Sequence, residues 1–357
     1  MGPGRADPSA LPDGAPTADV AGFRAGSSVV SPPAGPSSGH RFRAREKLIA
    51  IKLIMVIIRE TPAASVSPLS PAAALLLAVS PTPPLVIGAD GVLCDLTRTL
   101  AREQARVECL IPAGADPHTL ALRPSDRRKL AQANLVLING YNLTPSLKTI
   151  QARGPVVAVA EQAVPGSPAR DPHVWHDSSN TVAMAKVVAA RLQALTGSGN
   201  VQRRKGAAVA VLNDLGTWSG RQIRTVPQAH RVLVTEHRAF SPFARRYGIK
   251  ELPVLDEYAT GGVLRPSSLR AITQAIRPSG TKAIFAEALP PSKTLRRISR
   301  SSGVPIAPSP LYADGLAPNR SLIQTATANV CTFVKAQGGR CDSAGAAALQ
   351  KRWAAIR

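Results

Sequence analysis

Aromatic side chains are scarce in this 357-residue chain, at 4% of its composition, and only 22 Asp and Glu stand against 44 Lys and Arg. Few aromatics mean few platforms on which nucleic-acid bases could stack, and no finger, basic-zipper or aromatic-rich RNA-recognition pattern is present. Also missing is any apolar run of 18 or more residues, the length a membrane-spanning helix requires. With 44% apolar and 18% charged residues the chain is too hydrophobic for wholesale disorder. Its length suits two lobes of roughly 100–150 residues, each with its own core, so the bulk is expected to be soluble and globular.

A net charge of +22 first suggests nucleic acid or an anionic membrane. Its distribution argues otherwise. Eight basic and five acidic residues precede Pro84, leaving 36 and 17 in the remainder, a net of +19. The excess therefore lies on the folded part and not on a basic tail. The densest groups, Arg127-Arg128-Lys129, Arg203-Arg204-Lys205, Arg245-Arg246 and Arg296-Arg297, fall on stretches with helical periodicity and read as solvated helix faces. No nucleic-acid partner is expected.

Residues 1–83 hold 12 of the 32 prolines and show no sustained period, the composition of a disordered leader. Within it Leu48–Ile58 is too short to span a membrane, whereas Ala72–Val79 has the length of a signal-peptide apolar region, with Met55 a candidate start. Export is the favoured reading. No Cys follows that run in a lipoprotein-type setting, so a soluble periplasmic protein without a lipid anchor is expected.

From Pro84 onward strands alternate with helices. Strands are expected at Leu85–Ile87, Val107–Ile111, Asn134–Ile138, Val156–Val159, Val232–Val234, Leu252–Leu255, Ala283–Phe285 and Val304–Ala307. Helices are expected at Asp95–Ala105, Ser125–Ala133, Ser179–Thr196, Val201–Ile223, Phe240–Tyr247, Ser267–Ile276, Pro291–Ser301 and Leu322–Ala336. This alternation argues an α/β fold with mostly parallel sheets. It divides into an N-terminal lobe at 84–200, a single long linker helix at 201–225 and a C-terminal lobe at 226–357.

The chemistry rests on histidine. Of six in the chain, His40 lies in the leader and His230 precedes a strand, leaving His118, His173, His176 and His237. His118 follows the Val107–Ile111 strand, His173 lies in Asp171-Pro-His-Val-Trp-His-Asp177 before a helix, and His237 ends a strand. Asp314, in Leu311-Tyr-Ala-Asp-Gly-Leu316, lies beyond another. These are positions where α/β folds place ligands. Three imidazoles with one carboxylate suit a tetrahedral borderline cation such as Zn²⁺. The separations of 55, 64 and 77 residues leave no local ligand pair. Only a preformed fold can assemble such a site.

The strings Gly114-Ala-Asp-Pro-His118 with Pro124-Ser-Asp126, Ala133-Asn-Leu-Val136 with Asn139-Gly140, Asp171-Pro-His-Val-Trp175, and Thr235-Glu-His-Arg-Ala-Phe240 with Phe243 and Tyr247-Gly248 occur in this order. Leu93-Cys-Asp-Leu96, Lys282-Ala-Ile-Phe-Ala-Glu287 and the Leu311–Leu316 segment add to them. Together they resemble the metal-binding solute receptors of ABC importers, cluster A-I, which serve zinc and manganese uptake. The resemblance spans nearly all of 84–357. It implies two lobes joined by a rigid helix, a cation held in the cleft between them, and delivery to an ABC permease in the inner membrane by a monomer. Carried over, His118 and His173 are the ligands of the first lobe, and His237 and Asp314 those of the second. A His at the third position accompanies zinc in this family and a Glu there manganese or iron. Zn²⁺ is therefore the expected cargo, with a Mn²⁺ or iron receptor of the same family as the alternative.

Some features depart from the family. Residues 119–172 contain no His, so a metal-gathering loop is absent, and Leu120-Ala121-Leu122 replaces an aromatic-acid-Pro run. His176 stands where the family more often has Leu; it and Glu236 are candidate additional or outer site residues. Among the four cysteines, Cys331 and Cys341 are expected to pair across Gly338-Gly339, and Cys94 with Cys109 is left open. A zinc-dependent hydrolase is the competing class, yet such enzymes keep an open coordination position and a general base. No His-Glu-x-x-His, Gly-x-Ser-x-Gly or phosphate-loop motif is present. The expectation is a receptor, not an enzyme.

Overall fold

The computed structural model describes residues 82–112, 114–258 and 265–357. Leu48–Ile58, Met55 and Ala72–Val79, on which the reading of the leader rests, lie outside the described residues.

Four buried residues, Leu85–Gly88, form β1. Helix α1 (Gly91–Ala101) follows, opened by Asp90, whose Oδ1 accepts from Leu93 N at 2.9 Å. That cap explains why the helix begins before the expected Asp95. It ends at Arg102, where the backbone turns left-handed at φ +49° and a short 3₁₀ turn replaces the expected last turn. A parallel sheet is completed by β2 (Arg106–Cys109), β3 (Leu135–Ile138) and β4 (Val156–Ala158), in the order β2-β1-β3-β4, with α2 (Pro124–Gln132) crossing from β2 to β3. The chain leaves β1 toward β2 on one side and reaches β3 on the other, so the carboxyl ends of these strands are where a ligand site belongs. Gly88 is required there, because a Cβ would sit 3.0 Å from the backbone of Cys94.

After α3 (Val159–Ala163), the chain enters α4 (Ser178–Thr196), turns through Gly197 at φ +65°, and returns as α5 (Gly199–Arg224). Gly serves this left-handed position because it lacks the Cβ that makes it costly. At 26 residues α5 is about 39 Å long. Its buried Val201, Ala208, Val211, Leu212, Leu215, Trp218 and Ile223 recur at helical spacing and belong to one core with residues of both lobes. Arg204, expected on a solvated face, is instead buried. It donates to Ala101 O at 3.1 Å and to the Glu103 carboxylate, satisfying the end of α1.

The second α/β unit pairs β5 (Val232–His237) in parallel with β6 (Lys250–Leu255) through α6 (Ser241–Tyr247). Helices α7 (Pro266–Ile276) and α8 (Lys293–Ser302) follow. The strands expected at Ala283–Phe285 and Val304–Ala307 shrink to a single parallel bridge, Ile284 with Ile306. Pro305 lacks the N–H that would extend it toward Lys282. Phe285 N nonetheless donates to Val234 O at 2.9 Å, so the segment lies beside β5. Helix α9 (Leu322–Ala336) has the expected bounds, and α10 (Ser343–Ala354), which weak amphipathicity hid, closes the chain. Asp95 on α1 ties the halves together, its Oδ2 accepting from Leu322 N at 3.0 Å and from Trp353 Nε1 at 2.9 Å.

Both cysteine pairs form disulfides, Cys331–Cys341 as expected and Cys94–Cys109 in addition. The second pair is possible because β2 runs beside β1 and places Cys109 opposite Gly88, over which Cys94 packs. We expect no titratable thiol in the native protein and four after reduction and unfolding. The Cys331→Ser/Cys341→Ser variant should lose about 2–3 kcal/mol of unfolding free energy in denaturant, the value for a loop of this size. An unchanged midpoint under oxidising conditions would show that this link adds nothing.

Candidate metal centre

Four short segments bring their side chains to one point. After β2 the chain reaches a 3₁₀ turn, Pro117–Thr119, whose preceding Asp116 accepts from His118 N at 2.8 Å and so sets the His118 backbone. Asp171 does the same for His173, accepting from its backbone N at 2.9 Å. Asn139, just past β3, donates to Pro172 O at 2.8 Å and holds this loop against the carboxyl end of the sheet. His237 is the last residue of β5. Asp314 lies in a loop whose Tyr312 is gripped by Asn329 of α9 through both backbone groups, at 3.0 and 2.9 Å.

Nε2 of His118 and Nε2 of His173 are 3.3 Å apart, and each lies 3.2 Å from Oδ1 of Asp314. Nε2 of His237 is also 3.2 Å from that oxygen, yet is a buried nitrogen without a well-aligned hydrogen bond. All four donor atoms fall within 4.8 Å of one another. The imidazoles are almost fully enclosed and the Asp314 side chain is 16% exposed. A misaligned buried nitrogen facing two imidazoles and a carboxylate is the environment a cation would complete, and the donor set matches the borderline type.

Two further carboxylates, which the sequence reading did not name as site residues, orient the rings from behind. Asp171 Oδ1 lies 3.1 Å from His173 Nδ1, and Glu287 Oε2 lies 2.7 Å from His237 Nδ1. Glu287 also accepts from His237 N at 3.0 Å. Each bond directs Nε2 toward the shared point, the usual arrangement behind a metal-binding imidazole. The signal for Asp171 was the i, i+2 spacing in Asp171-Pro-His173. For Glu287 no local signal existed, since it comes from a segment 50 residues away.

His176 and Glu236 lie outside the four-donor group. His176 turns Nε2 to Ala313 O at 2.8 Å, and burial pushes its pKa down to about 4. Glu236 accepts from Glu287 N at 3.1 Å and lines, with Asp116, Glu287 and Asp314, a cavity of about 230 Å³ beside the centre.

Burial by itself opposes charge at His173, His237 and Asp314, but their pairings prevail; at Glu287 burial prevails and raises the carboxyl. It would raise the Asp314 carboxyl, whereas the imidazoles of His118, His173 and His237 hold it well below the ordinary carboxylate range. It would lower His237, whereas Asp314 and Glu287 raise that imidazole to about 10. His173 is also raised, by Asp171 and Asp314 against the effect of burial.

Residues 87–336 match the family described as zinc-uptake complex component A, periplasmic. The chain is similar to the metal ABC transporter substrate-binding lipoprotein SloC of Streptococcus mutans, 24% identical over 251 residues that cover 65% of this chain and 81% of SloC. It is likewise similar to the manganese-binding lipoprotein MntA of Halalkalibacterium halodurans, 25% identical over 264 residues, 70% of this chain and 87% of MntA. Among solved structures, the periplasmic zinc binding protein TroA from Treponema pallidum superposes with a TM-score of 0.67 at 26% identity, covering 72% of this chain and all of TroA. SloC and MntA are named lipoproteins, which counters the expectation of a receptor without a lipid anchor; that expectation is withdrawn.

In the metal-free protein His237 should hold its proton far above neutrality, with an NMR midpoint near 10. Because its folded pKa is raised, its contribution to stability is fully present below about 6.5 and is lost as the pH climbs through about 10. Glu287→Gln should lower the midpoint by about one unit or more; an unmoved midpoint would mean that Glu287 does not support the ring.

Proposed function

The chain belongs to the family of zinc-uptake complex component A, whose members are substrate-binding receptors of ABC importers and not enzymes, and on that premise we propose that it captures Zn²⁺ and passes it to an ABC permease. The cation is cargo. His118, His173, His237 and Asp314 are its ligands, each imidazole binding through Nε2 and Asp314 through Oδ1. Asp171 and Glu287 hold two of the rings in place. The first lobe comprises 84–200, the joining helix 201–225 and the second lobe 226–357, so each lobe contributes two ligands.

The observation that carries this reading is the spacing of the donors. A tetrahedral centre with bonds of about 2.0–2.1 Å has ligand-to-ligand edges of about 3.3–3.4 Å. Four of the six donor-to-donor separations are 3.2–3.3 Å, and all six lie within 4.8 Å. Three imidazoles and a single carboxylate oxygen favour a borderline cation over a hard one, and TroA, a similar structure, is named for zinc. A manganese receptor is the second reading, favoured by the printed name of MntA. Among the described residues no helix is long and apolar enough to cross a membrane. We place the protein outside the cytoplasm, in the periplasm, as a monomer that docks on its permease.

Calorimetric titration should show one Zn²⁺ per chain. His118→Ala and His237→Ala should each weaken binding by about 100-fold or more; wild-type binding by both variants would overturn the ligand assignment. His237→Glu should shift preference from Zn²⁺ toward Mn²⁺, because a hard carboxylate replaces imidazole; an unchanged ratio would remove His237 as the selecting residue. Ligating imidazole must be neutral, so affinity should fall as the pH drops from 7 toward 5. A flat profile would argue against imidazole ligation.

A further inference from the structure

His176 is not one of the four converging donors, yet its ring lies between the segments that carry three of them. It belongs to the 3₁₀ turn three residues beyond His173. Its ring stacks on Phe240, three residues past His237, with centroids 4.3 Å apart and planes inclined by 34°. Its Nε2 is 2.8 Å from the carbonyl oxygen of Ala313, the residue before Asp314. A carbonyl only accepts, so Nε2 carries the proton and donates it.

The loop bearing Asp314 is otherwise anchored from its own half of the molecule. Leu311 N donates to Ala286 O, Asn329 holds both backbone groups of Tyr312, and Ala317 N donates to Thr325 Oγ1. Among the described residues, His176 is the one side chain preceding α5 that hydrogen-bonds the backbone of 311–317. The bond falls on the peptide unit that enters Asp314, and that unit is planar, so fixing its oxygen orients the Asp314 backbone. On the other flank stands Gly315, at φ +156° with open space where a Cβ would be, a permissive pivot. The peptide entering Asp314 is thus held from across the cleft, while the residue leaving it is free to turn.

We propose that His176 is a positioning residue that crosses the cleft to hold Asp314 at its distance from the three imidazoles, and so sets how slowly the bound cation leaves. The inference rests on the metal-receptor reading. His176 binds no metal itself; it acts through the peptide between Ala313 and Asp314. Groups hydrogen-bonded directly to a ligating side chain change metal affinity about 10–100-fold when lost; His176 acts one residue back, through the backbone, so its effect belongs at the low end.

The test compares His176→Leu, which keeps an apolar surface against Phe240 but has no donor, with His176→Gln, whose amide nitrogen reaches about as far as Nε2. Zn²⁺ is loaded, and its dissociation is followed by stopped flow into a chromogenic chelator, alongside the association rate and the melting temperature of the metal-free protein. We expect His176→Leu to release Zn²⁺ about 10-fold faster, at the low end of that range, with association unchanged and metal-free melting lowered by the loss of a buried hydrogen bond, and His176→Gln to restore both slow release and melting. Wild-type release by His176→Leu overturns the proposal. So does equally fast release by both variants, since the donor would then be irrelevant. If neither variant folds, the ring ¹⁵N spectrum of Zn²⁺-loaded wild type decides: a proton on Nε2 of His176 supports the bond, and one on Nδ1 overturns it. A wild-type protein that takes up no divalent cation brings down the receptor reading itself, before any His176 variant is made.

Discussion

One carboxylate oxygen, Oδ1 of Asp314, lies 3.2 Å from the Nε2 atoms of three imidazoles drawn from distant parts of the chain. No other group among the described residues meets all three. Three enclosed imidazoles repel one another as soon as more than one is protonated, and burial adds to that cost. The anion at their centre makes the cluster tolerable before any cation arrives, which is the physical content of the opposed shifts on Asp314 and His237. The grip of Asn329 on Tyr312, the turn at Asp116 and the carboxylates behind His173 and His237 all serve to keep this one contact in register.

The centre gathers a cation within a chain of net charge +22. Placement resolves the apparent conflict. Exposed charges beyond about 8 Å are largely screened at physiological ionic strength, and Arg238, the basic residue next to His237, is paired with Glu251 and Asp256. The cavity beside the centre is bordered by Asp116, Glu236, Glu287 and Asp314. The field that an approaching ion meets is local and acidic, whatever the total.

The fold was largely legible because its signals were local. Apolar runs bounded by polar residues located β1, β3 and β5, and helical spacing located α4, α5 and α9. Most of the failures depended on something outside the window being read: the cap at Asp90 moved the start of α1, and α10 owes its place to packing and to the Trp353 contact with Asp95. One did not, since Pro305 lies within the expected strand that it cuts to a bridge. Arg204 looked like surface charge until the end of α1 came to meet it. The four candidate ligands were recoverable from the strings around them, and the fold brings all four together. Glu287 and the destination of His176 were not recoverable, because an outer partner supplied by a remote segment leaves no spacing to read.

Asp95 joins the start of α9 and the indole of Trp353 to α1, while α5 runs unbroken beside them. The two halves are in effect splinted along their back. A splint of this kind resists a wide swing of one half against the other. It leaves the short segments at the mouth of the cleft, whose excursions are local, as the more compliant part of the enclosure.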